Sequence, residues 1–303
     1  MLCGGVGGAR MARALSGKVP PERLTVVVNV GDDDYMYGAH VSADLDTMVY
    51  TLAGLEGPHG WGIAGDTFEV MEELARRGVD TSFRLGDRDL ATCLRRTAAL
   101  NAGRPLSSIT IDIARSLGVA TRVIPVTNDA VQTRVQIADG TWLPFQEYFV
   151  RRQHRDEVTA LAYNGATSGR PAPGVIEAIH AADLVVIAPS NPPLSIWPIL
   201  EIPGIRDAVV AANTVVAISP LFRGKALKGP ADRVLASLGL PPGTSGVLAA
   251  YEGLLDTLVV DAADAADERL GSPSTRVIAT DTRIGDVASG RRFAGWLLDT
   301  MAS

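Results

Sequence analysis

Several short stretches of this 303-residue sequence carry residue types that can do chemistry together. The first is Gly4-Gly5-Val6-Gly7-Gly8-Ala9, opening what reads as a helix. Glycines let backbone N–H groups close on an anion and a helix N-terminus adds partial positive charge, so a phosphate is the natural guest; a plain tight turn is the alternative. The loop is not a Walker A motif, because no Gly-Lys-Ser/Thr follows. It also misses the dinucleotide fingerprint, since Arg10 stands where the third glycine or alanine belongs. The second stretch is Asn29-Val30-Gly31-Asp32-Asp33-Asp34 at the end of a β-branched run. Its carboxylates are either a solvated turn or hard oxygen ligands for Mg²⁺ with a contact to a ribose hydroxyl. Ala43-Asp44-Leu45-Asp46-Thr47 follows at a helix start, where Asp44 reads as an N-cap and Asp46 as aimed outward at the same cleft. A carboxylate there is placed to bind a metal or take a proton from a hydroxyl.

Two further stretches complete the set. In Arg84-Leu85-Gly86-Asp87-Arg88-Asp89, Arg84 and Arg88 are suited to an anionic substrate, while the plainer reading has Asp87 as a cap and Arg88 in solvent. Ala188-Pro189-Ser190-Asn191-Pro192-Pro193 follows an apolar run, and its prolines stiffen a loop that presents Ser190 and Asn191. Lys225 and Lys228 read chiefly as a solvated loop, with a phosphate contact as the alternative. No Ser/His/Asp order or Cys/His pair has a recognisable context, so covalent catalysis lacks a candidate. The residues point instead to a phosphate-and-metal site served by carboxylates, with a bound hydroxyl attacking phosphorus.

These side chains need a scaffold, and the hydrophobic pattern supplies one. A strand is expected over Leu24 to Val30. A helix with a capping box at Asp66-Thr67-Phe68-Glu69 runs to Gly78, and another spans Asp87 to Leu100 with Leu90, Leu94, Thr97 and Leu100 on one face. A helix over Ser107 to Leu117 precedes strands at Ala120 to Pro125, Thr133 to Ile137 and Thr141 to Phe145, the last two joined by an Asp139-Gly140 turn. Strand and helix then alternate from Val175 to a last helix after Arg283. The expected fold is α/β: one Rossmann-like domain over 1–303 with a mostly parallel sheet, helices on both faces, and a small antiparallel and helical subdomain inserted at roughly 120–172.

Composition narrows the partners. With 47% hydrophobic and 20% charged residues the chain is an ordinary globular one. A net charge of −6 and the lack of a basic run exclude nucleic acid as the expected partner. No apolar stretch approaches the ~20 residues that span a bilayer. The start lacks a basic segment followed by an apolar one, so no signal peptide is expected and the cytoplasm is the expected compartment. Cys3 and Cys93 lie far apart, as do His40, His59, His154 and His180, so any metal is expected on oxygen ligands.

In order and spacing from end to end, these motifs resemble the 2-phospho-L-lactate transferase family of coenzyme F420 biosynthesis. Leu85-Gly86-Asp87-Arg88-Asp89-Leu90-Ala91-Thr92, Lys225-Ala226-Leu227-Lys228-Gly229-Pro230 and Leu254-Leu255-Asp256-Thr257 belong to the match. The resemblance implies a Rossmann-like homodimer using Mg²⁺. Such an enzyme moves a phospholactyl or phosphoenolpyruvyl group from a guanosine diphosphate-linked donor to the deazaflavin Fo, releasing GMP. It implies Asp46 as the catalytic residue, Asp46, Arg84, Asp87 and Arg88 as Fo contacts, and Asp32 and Asp46 as metal ligands. Gly4, Gly5, Val6, Gly7, Gly8, Ser190 and Asn191 fall on the nucleotide side.

The sequence departs from the family pattern in places. Only Met1-Leu2-Cys3 precede the glycine loop, so the first strand is expected to be incomplete. Ala43 replaces a common proline, Cys93 a usual histidine, and Asn128 a usual aspartate. The alternative function is a non-catalytic regulatory protein binding a nucleotide sugar on the same core, which would need neither Asp46 nor the Leu-Gly-Asp-Arg-Asp segment. An NAD(P)-dependent oxidoreductase fails at Arg10.

Overall fold

Residues 1–267, 270 and 274–302 are described by the computed structural model. The first half of the chain runs β1 (Leu2–Cys3), α1 (Gly5–Ser16), β2 (Thr25–Val28), β3 (Asp34–Met36), β4 (Ala39–Val41), α2 (Ala43–Leu52), α3 (Glu69–Arg76), α4 (Asp87–Asn101) and α5 (Leu106–Ser116). Next come β5 (Arg122–Pro125), β6 (Gln132–Ile137), β7 (Trp142–Pro144), β8 (Val158–Asn164), α6 (Val175–His180), β9 (Val185–Ile187), α7 (Trp197–Leu200) and α8 (Ile205–Val210). The chain closes with β10 (Val215–Ile218), β11 (Leu221–Phe222), β12 (Lys225–Ala226), α9 (Ala231–Ser237), α10 (Thr244–Ala250), β13 (Thr257–Asp261), β14 (Arg276–Thr280) and α11 (Val287–Met301).

Seven strands form one parallel sheet in the order β14-β13-β10-β9-β1-β2-β5. Consecutive residues of β9, β10 and most of β13 are buried, so both faces of the sheet are covered, which is why these strands read as continuous Val/Ile/Leu runs without alternation. The two-residue β1 lies at the centre between β2 and β9. The chain leaves β1 toward β2 on one side and returns later to β9 on the other. Doubly wound sheets bind ligands at such a reversal, beyond the carboxyl ends of the strands. The loops after β1, β2 and β9 are the three that carry Gly4, Asp32 and Ser190.

The antiparallel piece is the three-stranded sheet β7-β6-β8, with its turn at Asp139-Gly140 and its own core of Val135, Ile137, Leu143, Tyr148 and Val158. The strand at Arg122–Pro125, expected with that piece, instead pairs in parallel with β2 as an edge of the main sheet.

Two details around α3 and α4 correct the sequence reading. Asp66 does not cap its own helix. It accepts the N–H groups of Arg88 and Asp89 at 3.0 and 3.1 Å, at the start of α4. Asp87 in turn accepts those of Glu69 and Val70 at 3.0 and 3.1 Å, at the start of α3, together with the Thr67 hydroxyl at 2.6 Å. Each helix therefore borrows its cap from the other. The buried face of α4 is also turned from the expected stripe: Asp89, Leu90, Cys93 and Arg96 point inward, and Leu94 is 51% exposed. The rotation brings an acid and a base of α4 toward α2.

Candidate active site

Helix α1 begins inside the glycine loop, at Gly5. A Cβ on Gly4 would collide with the Asp44 carboxylate, and one on Gly7 with the Pro189 carbonyl. These glycines are therefore required by the close approach of α2 and the loop after β9. The Gly5 N–H donates to Asp44 Oδ1 at 2.7 Å, so Asp44 reaches out of its own helix to cap α1. Ser190 Oγ accepts from the Gly4 N–H at 3.2 Å and donates to the Gly4 carbonyl at 2.7 Å, fastening the β9 loop to the glycine loop. Asn191 accepts from the Leu194 N–H at 3.3 Å and stays half-buried at the rim.

The carboxylates after β2 are not a solvated turn. Asp32 is 7% exposed, and Asn29 donates to both Asp32 Oδ1 at 2.8 Å and Asp44 Oδ2 at 3.0 Å, bridging the two acids. Ser42 donates to Asp33 Oδ2 at 2.8 Å, and His40 Nε2 lies 4.0 Å from the same oxygen. Asp34 instead opens the hairpin β3–β4 and is half-buried. Asp46, in the first turn of α2, is also buried; Arg96 binds both of its oxygens and donates as well to the His40 carbonyl at 3.1 Å. Asp89 accepts from the Tyr50 hydroxyl at 2.8 Å, and its ligand atom, with those of Asp46 and Cys93, lies within a 4.8 Å cluster. The outward-facing Asp46 of the sequence reading is thus a buried carboxylate in a salt bridge.

So many acids with one buried guanidinium have predictable consequences. Burial holds Asp32 well above the usual carboxylate range, and Asp44 beside it adds to the effect. Burial raises Asp33 too. Asp44 is pushed up to about 6 by burial against the pull of its bonds from Asn29 and Gly5, and Asp89 to about 7 by burial and by Asp46. His40 is driven down to about 4 by burial and by Arg96, so it is neutral near pH 7. Arg96 keeps its charge because Asp46 outweighs the burial that opposes it.

The remaining expected contacts lie at the surface beside this cluster. Arg84 is exposed and sits 4.6 Å above the Phe68 ring. Arg88 is exposed, its Nη1 3.4 Å from the Ala64 carbonyl. Asp87 is engaged as the cap of α3. A cavity of about 290 Å³ opens next to Asp32, whose carbonyl accepts from Gln146 at 2.9 Å; Tyr35, Tyr37, Phe83, Gln146 and Arg151 help line it. The three departures are also placed. Ala43 is the first residue of α2, where proline fits equally well. Asn128 accepts from the Ser107 N–H at 2.7 Å, a cap that aspartate would make as well. Cys93 is buried with Sγ 3.9 Å from Arg96 Nη1.

Carboxylates, a glycine loop and a stiff serine loop meeting at the strand reversal can be compared with known proteins. The sequence profile of the family 2-phospho-L-lactate transferase CofD matches residues 1–284. The chain belongs to that family. A phosphoenolpyruvate transferase of Streptomyces griseus subsp. griseus is 41% identical over 307 residues, covering 99% of this chain and 96% of its own. One from Thermobifida fusca is 43% identical over 279 residues, covering 88% and 86%. A UPF0052-family protein of Bacillus halodurans shares the fold, with a TM-score of 0.65 at 17% identity over 98% of this chain and 97% of that one. As a member of the 2-phospho-L-lactate transferase family, the protein is a phosphotransferase of coenzyme F420 biosynthesis. No helix among the described residues is long and apolar enough to cross a membrane.

Proposed function

We propose that the protein transfers a phosphorylated three-carbon acid, phosphoenolpyruvyl or phospholactyl, from a guanosine diphosphate-linked donor to the ribityl hydroxyl of Fo, giving a phosphodiester and GMP. The observation that carries this reading is the convergence of Asp32, Asp33, Asp44 and Asp46 beside the glycine loop, at the reversal between β1 and β9. The names of the relatives favour the enolpyruvyl donor.

The donor's diphosphate fits the first turn of α1, where Asp44 takes the Gly5 N–H and the Val6, Gly7 and Gly8 N–H groups follow it. Ser190 fixes the shape of that loop, and Asn191 stands at its rim. The Fo hydroxyl oxygen forms a new bond to the phosphorus bearing the three-carbon acid. The bond from that phosphorus to the oxygen leaving with GMP breaks, and the hydroxyl proton passes to a lone pair of Asp46 that Arg96 leaves free. Arg84 and Arg88, exposed beside the cleft, offset the negative charge of the ligands.

The residues fit a divalent cation. Asp33 Oδ1 is buried without a hydrogen-bond partner, and the Asp32–Asp44 pair has only an amide between its charges. Asp32 and Asp46, with Asp33 and Asp44 at hand, are the hard oxygen donors that would hold Mg²⁺. When bound, the ion would stabilise charge developing on the phosphoryl oxygens. Cys93 is a poor ligand for such an ion. The setting we infer is a cytoplasmic homodimer acting on small molecules.

Asp46→Asn tests the assignment. With Fo and donor supplied, GMP release should fall at least about 100-fold, the loss expected for a proton acceptor, while donor affinity by calorimetry stays within about threefold. Turnover at the wild-type rate would remove Asp46 from the mechanism.

A further inference from the structure

Between α2 and α3 the chain forms a small hairpin that the chemistry above does not use. Glu56 bridges to Ile63, the Gly57 N–H donates to the Gly62 carbonyl at 3.0 Å, and that of Ala64 to the Leu55 carbonyl at 2.8 Å. The hairpin is clamped onto α1: Glu56 is bound by Arg10 at 3.1 Å and by Arg13 at 2.7 Å. At its tip Gly60, with φ +91°, rests against Val6 of the glycine loop so closely that a Cβ would strike the valine side chain. The next residue, Trp61, is 56% exposed.

Isolated apolar residues at a surface are ordinary, but an indole fixed in place by an ion-paired hairpin on a phosphate-type loop is not. His59 tilts against the ring at 5.9 Å between centroids. Lys228, from the loop after β12, has Nζ 5.9 Å from the centre of the Trp61 ring and donates to the His59 carbonyl at 3.1 Å. A flat apolar ring, a cation held over it and a glycine loop against the tip of the same hairpin match the parts of a nucleoside diphosphate: ring, phosphate charge and phosphate oxygens.

We propose that Trp61 is the stacking platform for the base of the nucleotide donor, with Lys228 beside it as the cation facing the diphosphate. This rests on the donor reading above and adds the residues that receive the base. The acceptor is also a flat ring, and Arg88, assigned to it, reaches the Ala64 carbonyl at the base of the hairpin, whereas Gly60 at the tip beside Trp61 packs on Val6 of the glycine loop. The hairpin bears on Val6, so the ring it serves is the donor's.

The test uses the full chain with GDP, inorganic pyrophosphate and Fo as probes, followed by calorimetry and by tryptophan fluorescence. Trp61→Ala should weaken GDP about tenfold, within the range of base–aromatic stacking, and abolish most of the GDP-induced quenching. Pyrophosphate and Fo should bind it as they bind the wild type, and Trp61→Phe should recover GDP affinity to within about threefold. Lys228→Ala should weaken GDP and pyrophosphate alike. For Trp61→Ala, unchanged GDP binding, equal weakening of GDP and pyrophosphate, or weakening of Fo alone would each overturn the assignment. If the wild type binds neither GDP nor pyrophosphate, the donor reading itself falls and the platform with it.

Discussion

Asp89 shows how the site trades stability for charge. Its carboxyl is buried below α4, takes a hydrogen bond from Tyr50, and is pushed up to about 7 by burial and by Asp46. An acid whose folded pKa lies above its unfolded value favours folding most fully at low pH. That contribution is lost as pH climbs from the ordinary carboxylate range, about 4, through about 7. Asp89→Asn keeps an acceptor for Tyr50 and removes the charge. The variant should gain stability over the wild type at pH 8, on the order of 1 kcal/mol or more, and lose that advantage toward pH 4. Thermal melts at the two pH values measure it, and an equal shift at both would contradict a buried ionisation. Arg96, which holds Asp46, was not legible in the sequence, because the expected stripe of Leu90, Leu94, Thr97 and Leu100 leaves it out of the buried face. The available signal was phase: Arg96 follows Cys93 by one turn, on the face of Leu90. Asp32 and Asp46 were legible as candidate site acids, though Asp46 read as facing outward and is instead buried against Arg96. The burial of Asp33 was not, since three adjacent aspartates also describe a turn in water.

At the scale of elements, the glycines of α1 have different physical reasons, and substitution separates them. Gly7 faces the Pro189 carbonyl, so Gly7→Ala forces the β9 loop away from α1 and should cost about 1–3 kcal/mol. Gly5 has open space around its missing Cβ but a φ of +65°, so Gly5→Ala should cost about 1 kcal/mol through backbone strain alone. Denaturant melts give both numbers, and a larger loss at Gly5 than at Gly7 would reverse the packing argument. Element positions were largely readable from hydrophobic period and turn residues. Caps exchanged between α3 and α4 were not, because Asp66 and Asp87 each have a local reading as good as the distant one. The β3–β4 hairpin was also hidden. Its turn is Tyr37-Gly38, both at positive φ, and a tyrosine gives no warning of that conformation.

For the whole molecule, alternation of strand and helix announces a parallel sheet, but the order of its strands depends on long-range pairing that local pattern does not encode. That order places β1 between β2 and β9, so the glycine loop, the Asn29–Asp33 acids and the Ser190 loop share one edge. The sequence showed three candidate stretches separated by many residues; the sheet makes them one site. Its excess of acid, opposed by a single buried guanidinium, is the feature the transferase account explains and a purely nucleotide-binding protein would not need. The most direct measurement is mass spectrometry of the protein incubated with Fo and either the enolpyruvyl or the lactyl guanosine donor, with Mg²⁺ or with a chelator. The account predicts an Fo phosphodiester and GMP in equal amounts, with the enolpyruvyl donor favoured and formation lost under chelation. Tight binding of the nucleotide with no phosphodiester from either donor would contradict it and leave the fold as a nucleotide-binding regulator.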